Sequence, residues 1–316
     1  MINLFKRYRE LKENGVLGIN ARNYDYILKL NDRKYYPLVD DKLKTKTVAL
    51  NNSINTTRVI GVIRFGYEVK NILNIVKDYK EFVIKPAQGS GGKGIIVIKS
   101  FDNDKFITAS NSVMTIKEIS EHCFNILSGL YSLGGKNDII IIEEMIQFTD
   151  AFKEYSFRGV PDSRIIVYRG MPVMAMMRLS TSISNGKANL HQGAIGVGID
   201  LKSGKATHAV MKDRPIEVHP DTGADLFKLA IPQWNEHLAI AYKTCEITHL
   251  NYVGADIVLD KFRGALLLEL NARPGLAIQI ANRIGLRGRL EIVDRNYEKI
   301  CKMNSDEKFN FILENF

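Results

Sequence analysis

The sequence predicts an α+β fold with helices and sheets segregated into lobes, and three observations lead there. Apolar runs of strand length gather at 81–146, 162–211 and 252–275. Most of them follow one another across short Gly-containing joints, as hairpins do, whereas parallel βαβ units would alternate strand and helix. Helical spacing of apolar residues dominates the remaining segments, at both ends of the chain and between the strand-rich stretches.

The elements follow in order. A helix is expected over 3–14, ended by Gly15 and Gly18, then a second over 24–30 and a third through "DDKLKTKTVALNN". A fourth spans 69–79, with Val69, Ile72, Leu73 and Val76 on one face. "EFVIKPA" and "GIIVIKS" read as strands paired around a glycine-rich loop. The amphipathic helix "IKEISEHCFNILSGLYSL" comes next, closed by Gly134 and Gly135, and then the strand "DIIIIEEMI". "DSRIIVYRGMPVMAMMRLS" reads as two strands joined at Arg169 and Gly170, and "HQGAIGVGIDLKSGKATHAV" as two joined at Ser203 and Gly204. "DLFKLAIPQWNEHLAIAYKTCEIT" is a long helical segment containing a proline. The strands "YVGADIVLD" and "GALLLELNARPG" and a terminal helical region complete the chain.

With 316 residues, 45% of them hydrophobic, the chain can bury one large core or two to three subdomains. Its longest apolar runs, such as "IIIIEEMI", fall far short of the roughly 20 residues that span a bilayer, so no transmembrane helix is expected. "MINLFKRYRELKENG" is basic and amphipathic but lacks an apolar signal core and a small-residue cleavage site, so a cytoplasmic location is expected. Cys123, Cys245 and Cys301 are odd in number and unpaired in spacing, and are expected to be buried thiols. The net charge of +9 could steer an acidic ligand or a nucleotide. The lysines are scattered, however, and no RNP, KH or helix-turn-helix pattern accompanies them, which argues against nucleic acid.

Two segments carry chemistry. "FVIKPAQGSGGKGIIVI" sets Gly89, Gly91, Gly92 and Gly94 between Lys85 and a second strand, with Lys93 in the loop. Glycine lets backbone N–H groups converge on an anion such as phosphate, but it is equally the default residue of a plain hairpin tip. The loop is neither a Walker A motif nor a dinucleotide fingerprint, because Lys93 precedes glycine and no helix follows. In "VGADIVLDKFRGALLLELNARPG", Asp256 lies on one strand and Glu269 and Asn271 on the next, where alternate residues face the same side. A hairpin through 260–264 brings them together. Two carboxylates and an amide oxygen amid Ile, Val and Leu suit Mg²⁺, though the same period also fits a solvent-facing hairpin.

Taken together, these motifs resemble the ATP-grasp carboxylate–amine ligases, in particular the RimK-like α-L-glutamate ligase branch, over residues 40–288. The resemblance implies an ATP-grasp fold, in which two α+β subdomains grip ATP. It divides the chain into an N-terminal helical or extended segment at 1–40, an N-terminal subdomain with the glycine lid at 41–147, and a C-terminal subdomain with the metal site at 148–316. "VDDKLKTK" is similar to the segment bearing the first ATP-phosphate lysine, here Lys42, and "FVIKPAQGSGGKGI" to the strand and lid, with Lys85 and the loop Gln88, Gly89, Ser90, Gly91, Gly92, Lys93 and Gly94. "IIEEMI" resembles the adenine hinge, implicating Glu143, Glu144, Met145 and Ile146. "DSRIIVYRGMPVMAMMR" and "KANLHQGA" resemble the ribose and phosphate segments, implicating Asp162, Lys187 and Asn189. His191 is either a phosphate contact or polar packing. Asp256, Glu269 and Asn271 would then hold two Mg²⁺ ions, or Mn²⁺. Arg178 and Arg273 are candidates for binding the acyl phosphate and its tetrahedral adduct, or else solvated salt-bridge partners, since a guanidinium binds two oxygens in a fork.

The resemblance implies ATP, an amino-acid amine donor such as glutamate and a carboxylate acceptor as partners, with a basic protein suited to an acidic peptide, protein or small molecule. It also makes a homo-oligomer one open state. The alternative is a nucleotide-binding regulatory or scaffold protein without turnover. Most relatives place a domain of roughly a hundred residues ahead of the Asp-Lys segment, a typical domain size. Here about 40 residues precede Lys42, and "GVLGINARNYDYILKLNDRKYYPLVDDKLKTK" resembles an uncharacterised RimK-related group. Asn20, Arg22, Asn23 and Arg33 with Tyr24, Tyr26, Tyr35 and Tyr36 could line an acceptor pocket or simply pack the segment.

Overall fold

The computed structural model describes residues 4–89, 91–102, 105–132 and 134–316. The chain forms two compact units, one from 1–39, 48–55 and 148–316 and the other from 40–47 and 56–147.

The smaller unit is built on a six-stranded antiparallel sheet of β1 (Val59–Ile63), β2 (Phe82–Pro86), β3 (Ile96–Asp102), β4 (Lys105–Thr108), β5 (Val113–Thr115) and β6 (Ile140–Glu144), in the order β1-β6-β2-β3-β4-β5. The expected hairpin of β2 and β3 is present, with Ile84 opposite Ile96 at its closed end. β1, β4 and β5 are absent from the sequence expectation. β4 buries only alternate residues over four positions, too short a stretch for a periodic signal. The helix Ile116–Leu127 covers the sheet with Ile119, Cys123 and Ile126, and Thr115 and Glu118 cap its start reciprocally. It stops well before Gly134. Gly129, at φ +84°, turns the chain where a side chain would collide with the Lys136 carbonyl.

The larger unit holds a seven-stranded antiparallel sheet: β7 (Asp162–Tyr168), β8 (Met171–Leu179), β9 (Ile195–Ile199), β10 (Ala206–Met211), β11 (Arg214–Pro215), β12 (Tyr252–Asp260) and β13 (Gly264–Asn271), in the order β11-β10-β9-β8-β7-β12-β13. β7 and β12 are buried at every position, their polar residues Asp162, Ser163, Arg164, Asp256 and Asp260 included. The helix Trp234–Thr248 packs on β7, β12 and β13, and Ala277–Asn282 packs on β8, β9 and β10. The long helix expected from 225 begins only at Trp234. Pro232 has no N–H to donate and disfavours helical geometry before it, so 226–228 is a single 3₁₀ turn.

The N-terminal helix is Leu4–Glu13, and where an α-helix was expected over 24–30 the chain makes a π-helical turn at Arg22–Leu28. Asn31 then acts as a plug. Its amide donates to the Tyr252 carbonyl at 2.7 Å, and its oxygen accepts from the N–H groups of Asn251 and Tyr252 at 2.9 and 3.0 Å. Cys123 and Cys245 are buried, but Cys301 is exposed, because it follows the short helix Tyr297–Ile300 on its solvent side. Among the described residues no helix is long and apolar enough to cross a membrane.

Candidate functional site

In the smaller unit, β2 carries Lys85 and the neighbouring strand β6 carries Glu143, each directly preceded by an isoleucine. Lys85 and Glu143 are both almost fully buried and form an ion pair. A second ammonium, Lys46 on the helix Lys42–Asn51, reaches the same carboxylate at 3.0 Å and donates to the Thr56 hydroxyl and the Thr57 carbonyl, each at 3.1 Å. The Thr57 hydroxyl adds a hydrogen bond to Glu143 at 2.9 Å. Burial works against the charged carboxylate, but Lys85 and then Lys46 outweigh it and hold the Glu143 carboxyl below its ordinary range. Glu143, expected at a nucleotide hinge, is here the shared counter-ion of two lysines. Sequence reasoning passed over Lys46, although it lies one helical turn after Lys42. Glu144 is half-buried and accepts from Arg58 at 3.4 Å, Met145 is half-buried and Ile146 is buried.

The glycine loop is tied at both ends. The Lys42 backbone N–H donates to the Ala87 carbonyl at 2.9 Å and its ammonium to the Gly89 carbonyl at 2.5 Å. The N–H of Gln88 donates to both Asp138 oxygens, at 3.1 and 3.0 Å, and the Ser132 hydroxyl donates to Asp138 at 2.5 Å. At the far end, His122 Nε2 meets the Gly94 carbonyl at 3.0 Å, and Gly94, at φ +74°, lies against the Tyr131 ring so closely that a Cβ would stand 2.6 Å from it. Gly91, Gly92 and Lys93 are exposed between these anchors, and Ser90 lies outside the described residues.

In the larger unit, the β12–β13 register sets Asp256 opposite Glu269 and Gly254 opposite Asn271. The hairpin expected from the sequence therefore brings the three oxygen donors together. Asp256 is wholly buried, and its two oxygens accept from Arg164 Nε and Nη2 at 2.7 and 2.5 Å and from Arg178 Nη2 at 2.7 Å. Arg178 also forks onto Asp162. Burial opposes ionisation of Asp256, but Arg164 and Arg178 overcome it and keep the carboxyl far below its usual range. For Asp162, burial dominates; Arg178 opposes it and the charge of Asp256 adds to it, leaving the carboxyl at about 6. Glu269 hydrogen-bonds Asp256 and contributes to raising Arg178 above its normal value, so Asp162, Arg164, Arg178, Asp256 and Glu269 share one electrostatic neighbourhood. Arg164 is the member that sequence reasoning missed. Its signal is its place two residues after Asp162 on one strand, hence on the same face.

The other expected residues stand elsewhere in the unit. Lys187 and His191 are exposed in the loop before β9, where Asn189 caps a turn by accepting from the His191 N–H at 3.0 Å. Arg273 is exposed two residues beyond Asn271, whose side-chain oxygen accepts the Arg273 N–H at 2.8 Å. Of the N-terminal candidates, Arg22 and Tyr26 are buried, Tyr35 and Tyr36 half-buried, and Asn20, Asn23, Tyr24 and Arg33 exposed.

The family model of the sugar-transfer associated ATP-grasp proteins matches residues 21–295, which takes in both units and both groups of residues. The chain belongs to this family. It therefore has the ATP-grasp fold, as expected. A search of curated proteins finds no match. Solved structures that resemble this ATP-grasp chain include the ligase PsnB complexed with a minimal precursor (11% identity, 85% of this chain and 64% of that one, TM-score 0.46). The D-alanine-D-alanine ligase from Coxiella burnetii is also similar (12%, 84% and 60%, TM-score 0.46). So is a RimK domain ATP-grasp protein from Sphaerobacter thermophilus DSM 20745 (11%, 83% and 69%, TM-score 0.45). This chain spans 64% and 59% of the first two PsnB chains it matches.

Proposed function

We propose that the protein is an ATP-dependent carboxylate–amine ligase. The observation that carries this reading is the β12–β13 register, which sets Asp256 against Glu269 with Asn271 on the same strand as Glu269, in a chain of the ATP-grasp family. A carboxylate oxygen of the acceptor attacks the γ-phosphorus and the bond to ADP breaks; an amine then attacks the acyl carbon, phosphate leaves, and the amine proton passes to solvent. Lys42 and Lys85 supply positive charge toward the phosphates, and the exposed glycine-rich stretch covers them from the β2–β3 hairpin. Arg273, exposed two residues beyond Asn271, would present a fork-shaped donor to the acyl phosphate, whereas Arg178, whose fork is held by Asp162, would contribute its charge alone.

The donor set fits a hard cation in part. Glu269 and Asn271 are half-buried and offer oxygens, whereas three guanidinium N–H groups occupy most of the roughly four acceptor sites of the Asp256 carboxylate. Among the described residues no group of three or more His, Cys, Asp or Glu side chains is placed to hold a metal. Mg²⁺ would be held by Glu269 and Asn271, with Asp256 supporting them electrostatically, and would neutralise charge on the nucleotide phosphates.

The basic balance suits an acidic acceptor. The family's association with sugar transfer adds a sugar-borne carboxylate or amine to the peptide and amino-acid substrates worth testing. The arginine-saturated Asp256 favours the second reading, a nucleotide-binding regulator without turnover. Mg²⁺-dependent ADP release, scanned over amino acids and over peptide and uronic-acid carboxylates, separates the two. Release that requires both an amine and a carboxylate, and that Glu269→Gln abolishes, establishes the ligase. ATP bound without turnover across the panel overturns it.

A further inference from the structure

Arg22 is only 7% exposed, yet every oxygen its guanidinium reaches is uncharged. Its Nη1 donates to the Pro274 carbonyl at 2.7 Å and lies 3.5 Å from the Arg273 carbonyl, while Nε and Nη2 share the Asn23 side-chain oxygen at 3.0 and 2.7 Å. A buried cation without a carboxylate is costly. Burial accordingly draws the guanidinium below its usual pKa, with Tyr252 opposing and the nearby charge of Arg273 adding to the effect. What this costly group secures is the loop that begins just after Asn271, 251 residues away in the chain. A second contact supports the same loop, because the Tyr36 ring lies 5.4 Å from the Arg273 guanidinium carbon. Arg273 itself is exposed and makes no ion pair among the described residues, so these two N-terminal side chains and Asn271 are what orient it.

We propose that Arg22 is a positioning residue for the ligase reaction: by gripping the carbonyls at 273 and 274 it fixes the backbone, two residues beyond Asn271, from which the Arg273 guanidinium projects, with Tyr36 as its platform. The assignment rests on the ligase reading. It gives the N-terminal segment a task in the chemistry of residues far along the chain. A fork reaching two carbonyls and an amide oxygen cannot be copied by the point charge of lysine.

The test uses Arg22→Lys, Arg22→Met and Tyr36→Leu in the full chain, with two readouts. Amide hydrogen exchange over 272–276 needs no turnover. It is expected to accelerate in both Arg22 variants while β12 and β13 exchange as in the wild type. Under conditions where the wild type turns over, kcat is expected to fall on the order of tenfold or more in Arg22→Lys and Tyr36→Leu with the KM for ATP unchanged, since small misplacements of a reacting group are expensive. Unchanged exchange at 272–276 in the Arg22 variants, or wild-type kcat in Arg22→Lys and Tyr36→Leu, overturns the proposal. If Arg22→Met does not fold, the other two variants decide. If the wild type turns nothing over, the ligase reading fails on its own, and exchange alone decides whether Arg22 holds the loop.

Discussion

The Arg178 guanidinium and the Asp162 carboxylate meet through two parallel hydrogen bonds, Nε to Oδ1 at 2.5 Å and Nη2 to Oδ2 at 2.6 Å, across a register pair of β7 and β8. The same Nη2 donates to Asp256 on β12, so one arginine ties three strands together. Arg164 extends this into a buried line of alternating charges, Asp162, Arg178, Asp256 and Arg164, joined by three ion pairs.

Asp256→Asn therefore tests the fold before it tests any metal. It leaves two buried guanidinium groups short of a carboxylate and is expected to cost about 3–5 kcal/mol in a denaturant titration. Glu269→Gln, at a half-buried position, is expected to keep a near wild-type midpoint and to lose ATP turnover. Equal midpoints for Asp256→Asn and the wild type would show that the arginines find other partners.

The Glu143 carboxyl predicts acid sensitivity. Its folded value lies below the ordinary 4.5, so its contribution to stability is complete above that pH and is lost as pH falls below 4.5 toward the folded value. Thermal unfolding of the wild type should show stability dropping over that acid range. Glu143→Gln should flatten that part of the profile and lower stability at neutral pH, because Lys46 and Lys85 are then buried without a counter-ion. A parallel loss of stability with acid in both proteins would remove Glu143 from the explanation.

The glycine loop predicts a contrast between two alanine variants. Gly91 and Gly94 both have positive φ, at +63° and +74°, so each substitution carries a left-handed penalty of about 1–2 kcal/mol. Only at Gly94 does the new Cβ meet the Tyr131 ring, at 2.6 Å; at Gly91 nothing lies within 4 Å. Gly94→Ala should thus lower the unfolding midpoint more than Gly91→Ala, and Tyr131→Ala in the Gly94→Ala background should recover part of the difference. No recovery would mean that the ring is not the obstacle.

By itself the sequence determined what local chemistry encodes. The β2–β3 hairpin with its glycine loop, and the strand pair that sets Asp256 against Glu269, follow from two-residue alternation and from glycine at turns, signals contained within a few neighbours. The apolar spacing of 225–248 runs on through Pro232, but the proline delays the helix to Trp234. Tertiary structure alone decided the partners: Glu143 shared by Lys46 and Lys85, Arg164 on Asp256, and Arg22 on the carbonyls of Arg273 and Pro274. A charged side chain in the sequence looks the same whether it will be solvated or buried. Only packing removes the water, and once water is gone a charge must take whichever oxygen or ammonium the fold has brought within reach, however far along the chain it began.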